Sequence, residues 1–437
     1  MSLPSISFSN DSHGWAELLQ ARQPRPSCSG TIRSHWAVVG AGFTGLACAR
    51  QLALLHPDDE IVLLDARAVG QAASGRNSGY AVALSHFSGA FNPLQSQQYQ
   101  RINRINTTGL ELLREQVASL NIDCQWHEQG FYHAAADQRA LKEVAHFADY
   151  LERLDRPHTL MQTEELKHQL GTDWYQRAIH VHEGALVQPA ALCYGLADSL
   201  PQNVTLYEHS PVLALTSGAP HRLQTQTADI HADQVMVCAN FEATHLGLIR
   251  ARILGSTLSG SFTRQLTRSE LDSLGHQQQW GVLSLHSGGA TVRLTEDGRI
   301  SIRNTAEYHA GMLLSERSLL KRQRIHRQAF ENRFPQLRHI PFEYSWSGVE
   351  GISRNATNFF KNPAPGLYVA GGYNGSGVSR GTAFGHALAE WASGGQSPLI
   401  TDCLDSPAAQ WLPPRPLLDI GAWFTVRNRF RGVGRDR

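Results

Sequence analysis

Trp36-Ala37-Val38-Val39-Gly40-Ala41-Gly42-Phe43-Thr44-Gly45, followed by the apolar run Leu46 to Leu55, reads as a buried strand, a glycine turn and a helix. Each glycine has its own physical task. Gly40 permits the tight turn off the strand, Gly42 keeps side-chain atoms away from a pyrophosphate, and Gly45 lets the helix pack closely on the sheet. The N–H groups of the helix's first turn, together with its dipole, favour a phosphate pair. Leu46, Ala49, Leu52 and Ala53 form an apolar stripe at helical spacing. Pro57-Asp58-Asp59 turns the chain, and Ile61 to Leu64 is a second buried strand. It ends at Asp65, about 20 residues past the glycines, where an acid takes ribose hydroxyls. Strand, glycines, helix, strand and acid stand in register for a dinucleotide site.

The rest of the 437-residue chain is long enough for two domains. Hydrophobic residues at 41% and charged residues at 18% are ordinary for a globular enzyme, and a net charge of +1 argues against a nucleic-acid binder. Cys28, Cys48, Cys124, Cys193, Cys238 and Cys403 form no C-x-x-C pair, so no metal site and no disulfide framework is expected. The start of the chain lacks a signal-peptide pattern and no apolar run is long enough to span a bilayer, which makes the cytoplasm the expected compartment.

Residues 1–33 are polar and read as a surface arm, with Trp15 and Leu18-Leu19 as anchors. After Asp65, the stretch Ala73-Ser74-Gly75-Arg76-Asn77-Ser78-Gly79 reads as an irregular loop that lets a flat ligand approach the backbone. Arg76 and Asn77 supply donors for ring carbonyls or phosphate. Residues 93–170 are mostly helical, and 252–309 are rich in strands, with Glu296-Asp297-Gly298-Arg299 as a hairpin turn. A helix is expected over Ser315 to Phe334, and Val212 to Leu215 as a short strand.

Gly366-Leu367-Tyr368-Val369-Ala370 is another buried strand, running into Gly371-Gly372-Tyr373-Asn374-Gly375-Ser376-Gly377-Val378 and a helix from about Ala383 to Trp391. One phosphate cradle suffices for a nicotinamide cofactor. A second helix N-terminus suits a long ligand whose far end gains negative charge during reaction. FAD meets that requirement, because reduction places charge on the N1–C2 carbonyl edge of the ring.

Trp36 to Leu52, the Ala73 to Gly79 loop and Gly371 to Thr382 together resemble the FAD-dependent D-amino-acid/glycine oxidase (DAO) superfamily. The resemblance is strongest to the bacterial branch that contains gamma-glutamylputrescine oxidoreductase. Trp15, Val187-Gln188-Pro189 and Trp346-Ser347-Gly348 follow in the expected order. The resemblance implies an α/β, two-domain fold: a Rossmann-like FAD-binding domain of the glutathione-reductase type and a substrate domain on an antiparallel sheet. The expected segments are 1–33 (arm), 34–92, 175–240 and 341–400 (FAD-binding), 93–174 and 241–340 (substrate), and 401–437 (tail). It further implies that Gly40, Gly42, Phe43, Thr44 and Gly45 hold the pyrophosphate, with Asp65, Ala66, Arg67 and Val212 at the adenosine. Ala73, Ser74, Arg76 and Asn77 would run along the pyrophosphate and ring, and Gly372, Asn374, Gly375, Ser376, Gly377 and Val378 would meet the ring's pyrimidine edge. Relatives with covalent flavin carry a His in the loop after the acid or a Cys shortly before the last strand. Neither occurs here, so non-covalent FAD is expected. No lysine lies between Lys167 and Lys321, which puts in doubt oxygen as the acceptor, since the sarcosine-oxidase branch uses a sheet lysine there.

The implied reaction is oxidation of a C–N bond in an amine or amino acid, with hydride passing to flavin N5. The imine product hydrolyses, and the electrons pass to oxygen or a quinone. No general base is named, since the flavin carries the chemistry. A substrate carboxylate would be clamped by an arginine. Arg303 is the first candidate, with Tyr308, Trp346, Arg354 and Tyr373 as walls. The tail from Trp411 onward reads as a terminal helix packed across the protein in preference to a basic amphipathic segment touching the inner face of a membrane. Two other classes stay open: an NAD(P)-dependent dehydrogenase using only the first glycine turn, and a flavoprotein subunit without its own amine oxidase activity.

Overall fold

The computed structural model describes residues 12–436 apart from positions 287, 311 and 432, so the first eleven residues of the expected arm lie outside it. Two eight-stranded sheets and a two-stranded ribbon organise the chain. The first sheet runs, from one edge, Phe359–Ala364, Leu367–Gly371, Ala228–Val237, Gly30–Val39, Ile61–Leu64 and Val204–Tyr207, with the strands His221–Gln224 and Ala214–Thr216 branching from Ala228–Val237. Gly30–Val39 is central and pairs in parallel with both Ala228–Val237 and Ile61–Leu64. All four residues of Ile61–Leu64 are buried, as befits a parallel strand covered on both faces.

The sheet carries the helices Phe43–Leu55 and Gly377–Ala392, with Ser96–Ser119 packed on the latter, and glycines set their spacing. A Cβ on Gly385 would lie 2.0 Å from the Thr44 carbonyl oxygen, and one on Gly109 would lie 1.9 Å from that of Ser379. Backbones therefore meet where a side chain would hold them apart.

The second sheet runs Phe342–Ile352, Leu254–Thr263, Ile300–Glu307, Thr291–Leu294, Trp280–Ser284, Phe131–Ala135, Arg177–Val181 and His158–Gln162. Its neighbours are antiparallel except for Trp280–Ser284 beside Phe131–Ala135. The hairpin at Glu296 to Arg299 forms as read, with Gly298 at φ +76. The helix Glu316–Arg333, capped by the Ser315 hydroxyl, covers the outer face over a core that includes Phe330, Phe334 and Ile302.

Pairing corrects several expectations. Arg177–Val181 and Phe342–Ile352, assigned to FAD-binding segments, belong to the antiparallel sheet, and Ser96–Ser119, assigned to the substrate segment, packs on the helix Gly377–Ala392 of the FAD-binding segments. Partners outside the local segment, Phe131–Ala135 for Arg177–Val181 and Leu254–Thr263 for Phe342–Ile352, leave no local pattern. Ala73–Arg76 is a helical turn where an irregular loop was expected, and the last-domain helix begins at Gly377, inside the glycine turn. Low intrinsic helix propensity hid both, and tertiary packing overrides it. Val212 precedes the strand Ala214–Thr216 rather than lying in it. Trp15 is an anchor indeed: it is fully buried among Ala190, Phe262 and Trp346, and its indole N–H donates to the Asn77 carbonyl at 2.7 Å. No helix among the described residues is long and apolar enough to cross a membrane.

Candidate active site

A cavity of about 1060 Å³ lies between the carboxyl ends of the parallel strands and the inner face of the antiparallel sheet. Two helix starts open into it. At the first, Gly40 (φ +101) donates its N–H to Leu64 O at 2.7 Å, and the helix begins after Gly42 with no side-chain cap. At the second, the helix begins after Ser376, again with no side-chain cap. Apart from the Phe43 N–H, which donates to Ser74 Oγ at 3.1 Å, these first turns direct N–H groups and positive dipole ends toward the cavity. The Thr44 and Tyr373 hydroxyls, 2.8 Å apart, tie the two starts together. Asn374 (φ +51) shapes the second turn: Oδ1 accepts from the Ser353 N–H at 2.9 Å, and Nδ2 donates to Thr357 O at 3.1 Å.

Asp65 closes the first turn. Oδ2 accepts from the Ala41 N–H at 2.7 Å and Oδ1 from the Arg67 N–H at 2.8 Å. Burial pushes its carboxyl up to about 6, against the downward pull of those two amides. At the second turn Arg380, 5% exposed, donates to Asn106 Oδ1, Tyr373 O and Ser85 Oγ. Burial lowers its guanidinium to about 10.

Of the sequence-predicted cofactor residues, Gly40, Gly42, Phe43, Thr44, Asp65, Ala66, Arg67, Ala73, Ser74, Arg76, Asn77, Val212 and the run Asn374 to Val378 line the cavity. Gly45 and Gly372 do not. A Cβ on Gly45 would sit 1.6 Å from Gly40 O, so this glycine serves helix packing. Gly372 lies behind the turn, donating to Asn240 Oδ1 at 2.9 Å. Arg76 and Asn77 are present but engaged. The Arg76 guanidinium donates to Gln71 O and Ser347 O, and Asn77 bonds Ser74 O and the Gly79 N–H. Their donors brace the wall of the cavity more than they face it.

Arg303, Trp346 and Tyr373 line the cavity, whereas Tyr308 and Arg354 do not. Tyr308 donates to Asp419 of the terminal helix at 2.7 Å, and Arg354 is exposed. Sequence type alone could not separate them, since an exposed arginine and a lining one look alike.

The sheet's register builds the opposite wall. His133, Leu283, Thr291, Arg303, Gly260 and Trp346 are successive Cα partners across six strands, and all six line the cavity. At about 4.8 Å per strand the row spans roughly 24 Å. Arg303 sits near its middle, donating to Thr291 Oγ1 at 2.5 Å. Sequence reading missed His133, Thr291, Ser301, Asn304 and Arg380, and also His86, whose ring stands 6.2 Å from that of His133. Alternation along Thr291 to Leu294 and Ile300 to Arg303 was the signal available for two of them, Thr291 and Ser301.

Burial holds His133 down to about 3, and likewise the fully enclosed His326 behind the sheet. Both are neutral when folded and titrate near 6.5 when unfolded, so the unfolded chain binds more protons between those values. Their contribution is complete above pH 6.5 and is lost as pH falls toward 3. From pH 7 to 5 the loss is about 2 kcal/mol for each imidazole. Thermal midpoints across that range should fall, and His133→Phe should flatten the slope; equal slopes for wild type and variant would contradict this assignment.

The profile of the family described as FAD dependent oxidoreductase (DAO) matches residues 35–391. The chain belongs to that family. Gamma-glutamylputrescine oxidoreductase of Escherichia coli (strain K12) is 25% identical over 384 residues, covering 85% of this chain and 86% of the relative. Glycine oxidase from Geobacillus kaustophilus superposes with a TM-score of 0.72 at 17% identity, over 84% of this chain and 96% of that one. L-Amino acid deaminase from Proteus myxofaciens gives 0.69 at 16% identity, over 87% and 94%. As a DAO-family member the chain is an FAD-dependent oxidoreductase, and its residues fit that cofactor. Two helix starts whose N-cap residues make no side-chain cap share one cavity, and a Cβ on Gly42 would fill the approach, 2.7 Å from Ser74 Oγ. Among the described residues no group of three or more His, Cys, Asp or Glu side chains is placed to hold a metal ion.

Proposed function

We propose that this DAO-family enzyme oxidises a C–N bond of an amine or amino acid, releasing an imine that hydrolyses in water and passing electrons to oxygen or a quinone. The observation that carries the reading is the wall facing the two helix starts, a row of sheet residues with the Arg303 guanidinium near its centre. The relatives named above, an oxidoreductase of an amine, an oxidase and a deaminase of amino acids, fall within the same chemistry.

When bound, FAD supplies the hydride acceptor. The chain's part is position and charge. The Gly40 to Gly42 turn would admit the pyrophosphate to the first helix start. Each Asp65 oxygen accepts one backbone N–H and keeps a lone pair for a ribose hydroxyl. The Gly377 helix start and the Arg380 guanidinium place positive potential where the ring's pyrimidine edge would gain negative charge. Arg303 would grip a substrate carboxylate with two parallel hydrogen bonds. The attachment is non-covalent, and acid precipitation should release all flavin into solution.

The test is anaerobic mixing of purified holoenzyme with a panel of amines and amino acids while the visible flavin band is followed. Bleaching by one class, then reoxidation by oxygen or by a soluble quinone, supports the reading and separates oxidase from dehydrogenase. A colourless protein that takes NAD(P) would sink it, and a yellow protein that no amine bleaches would favour a subunit without this activity.

The terminal helix Leu417–Arg431 adds a second reading, for membrane contact. It packs inward through Asp419 and Phe430 but leaves Leu417, Ile420, Trp423 and Phe424 more than half exposed, with Arg415 and Arg427 beside them. Arg427 lies over the Trp423 ring at 5.2 Å. Apolar and basic groups together suit an anionic lipid surface. Flotation with phosphatidylglycerol vesicles, lost in Trp423→Ser/Phe424→Ser, checks this; equal flotation of both proteins rejects it.

A further inference from the structure

The strand Ile300–Glu307 breaks its alternation once. Ser301 and Arg303 face the cavity while Ile300 and Ile302 lie in the apolar core. Past the break, Ala306 faces the cavity and Thr305 turns to the other side, where its hydroxyl meets Ser259 and His326. The partner strand pairs Gly260 with Arg303 and Ser259 with Thr305, which leaves Asn304 as an extra residue. This is a β-bulge, a device that re-aims side chains. Here it sets Asn304 beside Arg303 on the cavity wall.

Asn304 is 1% exposed, and neither its Oδ1 nor its Nδ2 has a hydrogen-bond partner among the described residues. Two unmade bonds on one enclosed carboxamide carry the full desolvation penalty of both groups. A ligand offering an acceptor and a donor at that point of the wall relieves it. A carboxamide is suited to both at once, and it is neutral at every working pH.

We propose that Asn304 is a specificity-determining residue, its Nδ2 donating to the substrate carboxylate held by Arg303 and its Oδ1 accepting an N–H of the substrate amine. The substrates favoured are therefore amino acids over amines that lack a carboxylate. This rests on the amine-oxidation reading of the same cavity and adds to it the group that reads the substrate's two polar ends together.

The experiment compares wild type with Asn304→Leu and Asn304→Asp on matched pairs, proline with pyrrolidine and glycine with methylamine. Removing a hydrogen bond to a charged group should raise KM for the amino acid about 10- to 100-fold while kcat changes only a few-fold. KM for the paired amine, which in Asn304→Leu loses only the neutral N–H bond to Oδ1, should rise less, by about 2- to 10-fold. Asn304→Asp should bind the amino acid still more weakly, because a second carboxylate faces the first. Flavin content and thermal midpoint report whether the variants fold. A titration with propionate, read as a perturbation of the visible flavin band, measures carboxylate binding without turnover. Unchanged amino-acid KM and propionate affinity in Asn304→Leu overturn the proposal, as does a wild-type enzyme that prefers the amine of each pair. If no amine or amino acid is oxidised, the amine-oxidation reading fails separately. The propionate titration then still decides Asn304, and equal affinity in wild type and variant overturns its role.

Discussion

Gly45→Ala is expected to yield a colourless protein of lowered thermal midpoint. The added Cβ would lie 1.6 Å from Gly40 O and 2.9 Å from Gly40 C, both backbone atoms. Gly40 cannot yield, because its φ of +101 and its N–H bond to Leu64 O fix the turn. The helix Phe43–Leu55 must therefore lift off the turn, and with it the first-turn N–H groups that would meet a pyrophosphate. Gly385 holds the second helix against Thr44 O, so that helix start shifts too. Overpacking of this kind costs about 1–3 kcal/mol or more. Gly42→Ala makes the informative contrast. Its Cβ would meet only the Ser74 side chain, with Oγ at 2.7 Å, and that hydroxyl can rotate away at the loss of one hydrogen bond, from the Phe43 N–H. That variant should keep its thermal midpoint as apoprotein and still lose flavin, since the new methyl fills the ligand's approach. The ratio of visible flavin absorbance to protein absorbance, measured with the melting curve, distinguishes the two. A yellow Gly45→Ala protein with an unaltered midpoint would sink this account of the turn.

How far the sequence carries the argument follows from where each signal resides. The strand–glycine–helix unit at Trp36 to Leu55 is local: a continuous apolar run, a turn residue and a helical stripe lie within twenty residues, and the structure repeats them in place. The same locality made the second glycine stretch and the Glu296 to Arg299 hairpin legible. Gly45 was read twice, once as a packing residue and once as a pyrophosphate holder, and the geometry supports the first. What failed was long-range. Nothing in Phe342 to Ile352 announces that it pairs with Leu254–Thr263 rather than with the parallel strands. Nothing near Tyr308 reveals the acid that takes its hydroxyl from 111 residues away. The Asn304 bulge exists only as a mismatch between two strands, so no single strand's pattern could disclose it. Asn77 shows the opposite limit: its type and its loop were right, yet its carboxamide braces that loop.

Asp436→Ala should be among the most destabilising single substitutions away from the glycine turns. Asp436 and Arg333 are both fully buried, and Arg333 Nη2 donates to Asp436 Oδ1 at 2.5 Å. The remaining guanidinium nitrogens donate to Tyr175 Oη at 3.1 Å and Ala329 O at 3.0 Å, so the cation bonds no second acid among the described residues. Removing the carboxylate leaves a charge enclosed between the helix Glu316–Arg333 and the sheet, at a cost of about 3–5 kcal/mol. The same carboxylate accepts the Ser284 hydroxyl, and the Asp436 carbonyl accepts the Ala290 N–H at 3.2 Å. These bonds bracket the turn that contributes Gly288 to the cavity, which Phe430 of the terminal helix also lines. Substrate binding should therefore weaken together with stability, while flavin content stays normal, because the glycine turns lie at the other wall. An Arg333→Met/Asp436→Leu double variant separates the penalty of an orphaned charge from the worth of the pair. Matched apolar groups avoid burying any charge, so the double variant should melt well above Asp436→Ala. If instead the double variant melts as low as the single one, the contact stabilises by fastening the turn and not by neutralising Arg333. If Asp436→Ala melts like wild type, the pair contributes nothing and the cavity wall is held by the sheet alone.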